Sequence, residues 1–206
     1  MVFAFFALLF ILILVFFVIF LKNHKKPRKN DDIIVNLDLS DILIFDTETT
    51  GINPKYEEIL ELAIINGCGD ILFNGRFRPE KRKTWKHAQE INGISPGDVK
   101  DCKPITEYLL QLQEIFDKPK IIAGYNVNFD LKFIHAAGIK THADYIIDVM
   151  EQFADERGIY DEEHGHNKWF KLEEAANYYG YQFKPHGALE DCKATLFVFK
   201  KIQGID

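Results

Sequence analysis

The segment Asp41-Ile42-Leu43-Ile44-Phe45-Asp46-Thr47-Glu48-Thr49-Thr50-Gly51 joins a short apolar, β-branched run to an acidic tip. Ile42 to Phe45 has the length and composition of a buried strand. Side chains alternate across a strand, so Asp46 and Glu48 leave the same face at its C-terminal end. Thr49-Thr50-Gly51 is expected to turn the chain directly afterwards. Two carboxylates on one face of a buried strand repel each other, and desolvation raises the cost. A bound cation removes that conflict, and an all-oxygen ligand pair suits Mg²⁺ or Mn²⁺. A lone Asp-x-Glu after a strand is more often an ordinary acidic turn, so the other segments decide.

Working outward, Glu61 lies in the next apolar run. Lys120 to Tyr125 reads as a further buried strand, followed by Asn126-Val127-Asn128-Phe129-Asp130. Phe129 to Ile134 opens an amphipathic helix. Asp130 therefore sits where a strand ends and a helix begins, the place where open α/β sheets gather ligands. Pro185-His186-Gly187 forms a loop before a helix from Ala188 to Ile202, with Asp191 near its start. A histidine five residues before a carboxylate, downstream of the other segments, supplies a base for a water nucleophile near neutral pH. The sum is a set of carboxylates and one histidine, the chemistry of two-metal phosphodiester hydrolysis.

In these motifs the chain resembles the DEDDh family of 3′→5′ exonucleases, and most of all the proofreading exonuclease of bacterial DNA polymerase III, in its epsilon or PolC-embedded form. The first motif is Asp46 to Gly51, the second Asn126 through Phe129-Asp130, and the third His186 with four residues before Asp191. The segment His87 to Ser95 also resembles the family's helix-and-turn between the first two motifs. The resemblance covers roughly Asp41 to Ile202. It implies that Asp46, Glu48, Asp130 and Asp191 bind two divalent ions, Mg²⁺ or Mn²⁺, and that His186 deprotonates the attacking water. It places the terminal nucleotide near Thr47, Thr49, Gly51 and Ile52, with Ile52 wedged against its base. Asn126 and Phe129 border the same substrate site, more by holding backbone and packing than by contact.

Residues 41–206 are thus expected to form the exonuclease domain. Strands are predicted over Ile42–Asp46, Ile59–Asn66, Ile71–Arg78, Ile121–Tyr125 and Tyr145–Met150. Helices are predicted over Trp85–Asn92, Ile105–Phe116, Phe129–Ala137, Glu151–Arg157, Leu172–Tyr179 and Ala188–Ile202. Three early strands joined by short turns pair antiparallel, and the later ones alternate with helices. This is the mixed α/β sheet, flanked by helices, of the ribonuclease H-like fold that the family shares. Asp161-Glu162-Glu163-His164-Gly165-His166 is expected to be an acidic loop.

Ahead of the domain, Val2 to Leu21 contains no polar side chain. Twenty such residues make about 30 Å of helix, the thickness of a bilayer core. A cleaved signal peptide fits poorly, because no basic residue precedes the run and no small-x-small site ends it. Lys22, Lys25, Lys26, Arg28 and Lys29 follow in the segment 22–40, a basic flank and polar linker. The positive-inside rule then predicts a single-pass membrane protein, N-out/C-in, with the nuclease domain cytoplasmic. Three cysteines without metal-ligand spacing agree with a reducing compartment.

The net charge of −6 already includes those five basic residues, so the rest of the chain is more acidic still. Arg76, Arg78, Lys81, Arg82, Lys83 and Lys86 form a local basic cluster able to follow phosphates. The predicted function is a 3′→5′ exonuclease on nucleic acid 3′ ends, favouring single-stranded DNA and releasing nucleoside 5′-monophosphates. The alternatives are a 3′→5′ exoribonuclease and a non-catalytic binding module tethered to the membrane. No polymerase motif accompanies the domain, so the sequence leaves a polymerase partner unspecified.

Overall fold

The structure, a computed structural model, describes residues 38–205. The expected membrane helix over residues 2–21 and nearly all of the 22–40 segment lie outside them. Among the described residues no helix is long and apolar enough to cross a membrane.

Five strands form one sheet in the order β3-β2-β1-β4-β5. They are β1 (Ile42–Thr49), β2 (Ile59–Asn66), β3 (Ile71–Arg76), β4 (Ile121–Gly124) and β5 (Tyr145–Asp148). The pairs β1/β2 and β2/β3 are antiparallel, whereas β1/β4 and β4/β5 are parallel. This mixed sheet is the expected one. The central strands β1, β2 and β4 are almost wholly buried, and apolar apart from Glu61 and Asn66 of β2 and the acidic second half of β1, while the edge strand β3 is exposed or half-buried throughout.

Among the described residues, seven α-helices flank or extend the sheet: α1 (Lys86–Asn92), α2 (Pro96–Val99), α3 (Leu109–Phe116), α4 (Val127–Ala136), α5 (Val149–Arg157), α6 (Leu172–Tyr178) and α7 (Ala188–Gln203). Leu43 and Phe45 of β1 pack with Phe116 of α3 and with Val127, Leu131 and Ile134 of α4. The Phe45 and Phe116 rings meet edge to face at 5.2 Å. Helix α7 packs on β1 and β2, and α5 and α6 pack on α7.

Several boundaries differ from the sequence expectation. Strand β1 runs on through Thr49, so the acidic pair lies within the strand and the turn begins later. Strand β3 stops at Arg76, two residues short. The helix expected over 105–116 splits into a 3₁₀ turn, Ile105–Tyr108, and α3. Helix α4 starts two residues early at Val127, because Asn126 takes a left-handed backbone (φ 60°) that ends β4 abruptly. A side chain at Gly124 would meet Val127 Cγ2 at 2.9 Å, so this tight strand-to-helix joint requires glycine. Strand β5 ends at Asp148, whose carboxylate accepts from the Met150 amide and caps α5. Helix α2 and the small hairpin of β6 (Tyr160–Asp161) with β7 (His166–Asn167) were not foreseen. That hairpin occupies the stretch read as an irregular acidic loop.

Candidate active site

Asp46 and Glu48 emerge from the middle strand of the sheet, with β2 on one side. The antiparallel register sets Asp46 opposite Ala63 and Glu48 opposite Glu61. Glu61 in turn faces Arg76 of β3, whose Nε donates to its carboxylate at 2.8 Å. Among the described residues, this row of acids meets a cation at its outer edge.

Thr47 lies between the two acids and alternates to the other face. Its amide and its hydroxyl both donate to Asp130 Oδ1, at 3.0 and 2.6 Å. These bonds link residues 83 apart in sequence and fix the buried Asp130 at the first turn of α4. Asp191, on the first turn of α7, accepts from the His186 amide at 3.1 Å. His186 has a left-handed backbone (φ 70°) and is exposed, so the loop bends back toward the helix that follows. Ligand atoms of Glu48, His186 and Asp191 all lie within 4.8 Å of one another.

The electrostatics of this cluster are costly. Burial holds the Asp46 carboxyl well above the usual carboxylate range, and Asp130, Asp191, Glu48 and Glu61 push it further. Burial lifts Glu48 to about 8, with Asp191 and Glu61 adding repulsion against a hydrogen bond from Asn92. Asp130 rises to about 7 by burial, although the Thr47 bonds oppose the rise. Asp191 rises to about 6 for the same first cause, opposed by the His186 amide. Beneath them the Cys192 thiol is fully buried against the Ala63 carbonyl at 3.4 Å.

Two observations test whether the residues fit divalent cations. The Asp46, Glu48, Asp130 and Asp191 carboxylates offer the oxygen donors that hard divalent ions prefer. Among the described residues, Asp191 Oδ1 is also a buried side-chain oxygen with no hydrogen-bond partner. A buried acceptor left unsatisfied costs about 1–3 kcal/mol, and a cation removes that cost. The residues fit.

The structure brings Asp46, Glu48, Asp130, His186 and Asp191 together at one end of the sheet. Around them, Thr49 Oγ1 donates to the Gly51 carbonyl at 2.7 Å, and the Thr50 hydroxyl donates to Glu57 at 2.6 Å. Glu57 also pairs with Arg82, and a side chain at Gly51 would press on Glu57 at 3.0 Å. Ile52 stands 85% exposed on this braced loop. Asn126 is exposed and its amide donates to Asp148 at 3.0 Å. Phe129 packs against the core beside Phe133.

Sequence reasoning missed the parts played by Thr47 and Asn92 as hydrogen-bond donors to the acids. The family-like segment from His87 to Ser95 was the available signal for Asn92, which also donates to the Thr49 carbonyl at 3.2 Å. The basic cluster is less free than its sequence suggests. Arg76 is engaged by Glu61, Arg82 by Glu57 and the Tyr56 carbonyl, and Lys83 by the Glu80 carbonyl.

The RNase T exonuclease family matches residues 43–199, a span that contains all five of these residues. The chain belongs to this exonuclease family. It carries the acid set of a DEDD-type exonuclease and resembles the PolC exonuclease domain. PolC-type DNA polymerase III of Caldanaerobacter subterraneus subsp. tengcongensis is 28% identical over 174 residues, 79% of this chain and 11% of that one. PolC-type DNA polymerase III of Staphylococcus saprophyticus subsp. saprophyticus is 28% identical over 184 residues, 86% of this chain and 12% of the other. The chain thus spans about a tenth of the length of the curated relatives it matches. Among solved structures, E. coli exonuclease I in complex with a dA16 oligonucleotide superposes with a TM-score of 0.63 at 19% identity, over 79% of this chain and 41% of that one. At that identity the likeness bears on the fold.

Proposed function

We propose that the enzyme removes nucleotides from the 3′ end of single-stranded DNA, releasing nucleoside 5′-monophosphates, while tethered to a membrane. The observation that carries this reading is the convergence of Glu48, His186 and Asp191, with a buried Asp191 oxygen left unpartnered. Asp46, Glu48, Asp130 and Asp191 would hold two divalent ions, Mg²⁺ or Mn²⁺. Bound there, such ions supply Lewis-acid polarisation of the phosphate and charge stabilisation at the leaving 3′ oxygen.

The chain's own residues supply the rest. The exposed His186 ring takes the proton of the attacking water, which adds to phosphorus as the P–O3′ bond breaks. The Asp191 carboxylate accepts from the His186 amide and so sets where that ring can reach. Thr47 holds Asp130 with two hydrogen bonds, and Asn92 steadies Glu48. The loop Thr49 to Ile52, braced through Glu57 and Arg82, would receive the terminal nucleotide. Support for DNA comes from the relatives, which are DNA polymerases, and from a fold neighbour bound to a DNA oligonucleotide. Support for tethering comes from the apolar run Val2–Leu21 and its basic flank, with the domain on the cytoplasmic side.

The experiment is digestion of labelled DNA and RNA oligonucleotides of equal sequence, with Mg²⁺, with Mn²⁺ and with chelator. Metal-dependent release of mononucleotides from DNA, blocked by a 3′ cap, is the expected result. Faster digestion of RNA would replace the substrate assignment. Attack on 3′-capped, 5′-free strands would overturn the polarity.

A further inference from the structure

The hairpin β6–β7 and the four residues after it form a wall that the chemistry above does not use. A cleft of about 680 Å³ runs from His186 and Asp191 past Asn126 to Lys168, Trp169 and Lys171. Trp169 is 51% exposed, unusual for so large an apolar ring. It is nevertheless held. The His166 ring stacks on the indole at 4.4 Å and 16°. His166 is fixed in turn by its Nδ1 against the Asn167 carbonyl at 2.8 Å, which makes Nδ1 the protonated nitrogen.

The backbone on both sides of Trp169 is pinned as well. The Lys168 amide donates to the Ile159 carbonyl at 2.7 Å. The Phe170 carbonyl accepts from the Tyr125 hydroxyl at 2.8 Å, and the Phe170 ring packs edge to face on Phe153. Asn167 is tied to Asp155 of α5 at 2.9 Å. The hairpin turn is closed by Asp161, which accepts from the Glu163 and His164 amides and meets His164 Nδ1 at 2.9 Å. An exposed, immobilised indole facing the cleft of a nuclease is a stacking platform waiting for a flat partner.

We infer that Trp169 stacks on a nucleobase of the bound strand, away from the scissile bond, and is a main source of this enzyme's affinity for its substrate. The inference rests on the exonuclease reading and adds a binding position to it. Charge favours it. The chain is acidic, and Arg76 and Arg82 are engaged by glutamates, which leaves fewer cations for phosphates. Stacking needs no positive charge and accepts any base. Lys171 and Lys168, the latter with its ammonium 5.4 Å from the centre of the Phe170 ring, are exposed cations in the same cleft for adjoining phosphates. Glu174, also in the cleft, is taken up by the Lys171 amide at 2.8 Å.

The test compares the wild-type full chain with Trp169→Ala and Trp169→Phe on two substrates in Mn²⁺. One is a DNA oligonucleotide; the other is the 4-nitrophenyl ester of thymidine 5′-monophosphate, which lacks every base but the terminal one. The ratio of oligonucleotide to ester kcat/KM should fall about tenfold or more in Trp169→Ala, through KM, and recover largely in Trp169→Phe. A single abasic residue moved along the strand should raise the wild-type KM at one position. That positional effect should vanish in Trp169→Ala. An unchanged ratio in Trp169→Ala, or an abasic profile identical in both proteins, would overturn the platform while leaving the exonuclease reading intact. A wild type that hydrolyses neither substrate would overturn both.

Discussion

Glu48→Gln should make the metal-free domain more stable and the enzyme inactive. An ordinary glutamate ionises near 4.5, whereas Glu48 in the fold does so near about 8. Its folded-state value is raised, so its ionisation opposes folding. The opposition is absent below about pH 4.5 and grows as pH rises toward about 8, where it becomes complete. The full gap amounts to about 5 kcal/mol, at roughly 1.4 kcal/mol per pK unit. Glu48 keeps some solvent access and its surroundings relax, which reduces the figure to about 2 kcal/mol. Glutamine keeps the shape and can still accept from Asn92. For a domain of this size about 2 kcal/mol raises Tm by roughly 4–8 °C. The assay is thermal unfolding in chelator at pH 8 and pH 5, then at pH 8 with Mn²⁺. The gain should shrink below about 1 kcal/mol at pH 5. With Mn²⁺ the order should reverse, because wild type then gains binding energy that the variant lacks. A variant no more stable than wild type at pH 8 in chelator would refute the account of the acidic cluster.

Four further outcomes follow from the same geometry. Asp46→Ala or Asp191→Ala should abolish turnover, whereas His186→Ala should slow it by about 10²–10⁴ with Mn²⁺ binding largely retained by calorimetry; wild-type rates in His186→Ala would remove it as the base. Mn²⁺ affinity should rise between pH 6 and pH 8, with more than one proton released per binding event, because Asp191, Asp130 and Glu48 lose protons near about 6, 7 and 8; an affinity flat over that range would contradict it. Thr47→Val removes a 2.6 Å donor from Asp130 but keeps the amide, so Mn²⁺ affinity at pH 7 should drop about tenfold while kcat at saturating metal stays near wild type. A fragment beginning at Asp31 should be soluble and cleave short oligonucleotides at close to the full-chain rate, while the full chain should sediment with membranes and resist salt extraction; loss of activity in the fragment would show that the amino-terminal segment has a catalytic part.

Much of the site was legible because its signals are local. Period-two alternation alone sets Asp46 and Glu48 on one face of β1, and a strand-to-helix junction alone sets Asp130 at a sheet end. The loop before α7 likewise brings His186 within reach of Asp191. The alternation of apolar runs with turns and helices was enough for the mixed sheet. What the sequence could not contain was register and long-range hydrogen bonding. That Glu48 faces Glu61, and Glu61 faces Arg76, depends on how β1, β2 and β3 slide against one another. That Thr47 holds Asp130 depends on a contact across 83 residues. The arginines read as free cations only until the fold set Glu57 and Glu61 beside them. Trp169 carries no signal of its own in the sequence; the packing of the β6–β7 hairpin against α5 and Tyr125 sets it at the cleft. Local chemistry names the acids and the base, and tertiary contacts decide which charges cancel and which surfaces remain open to a substrate.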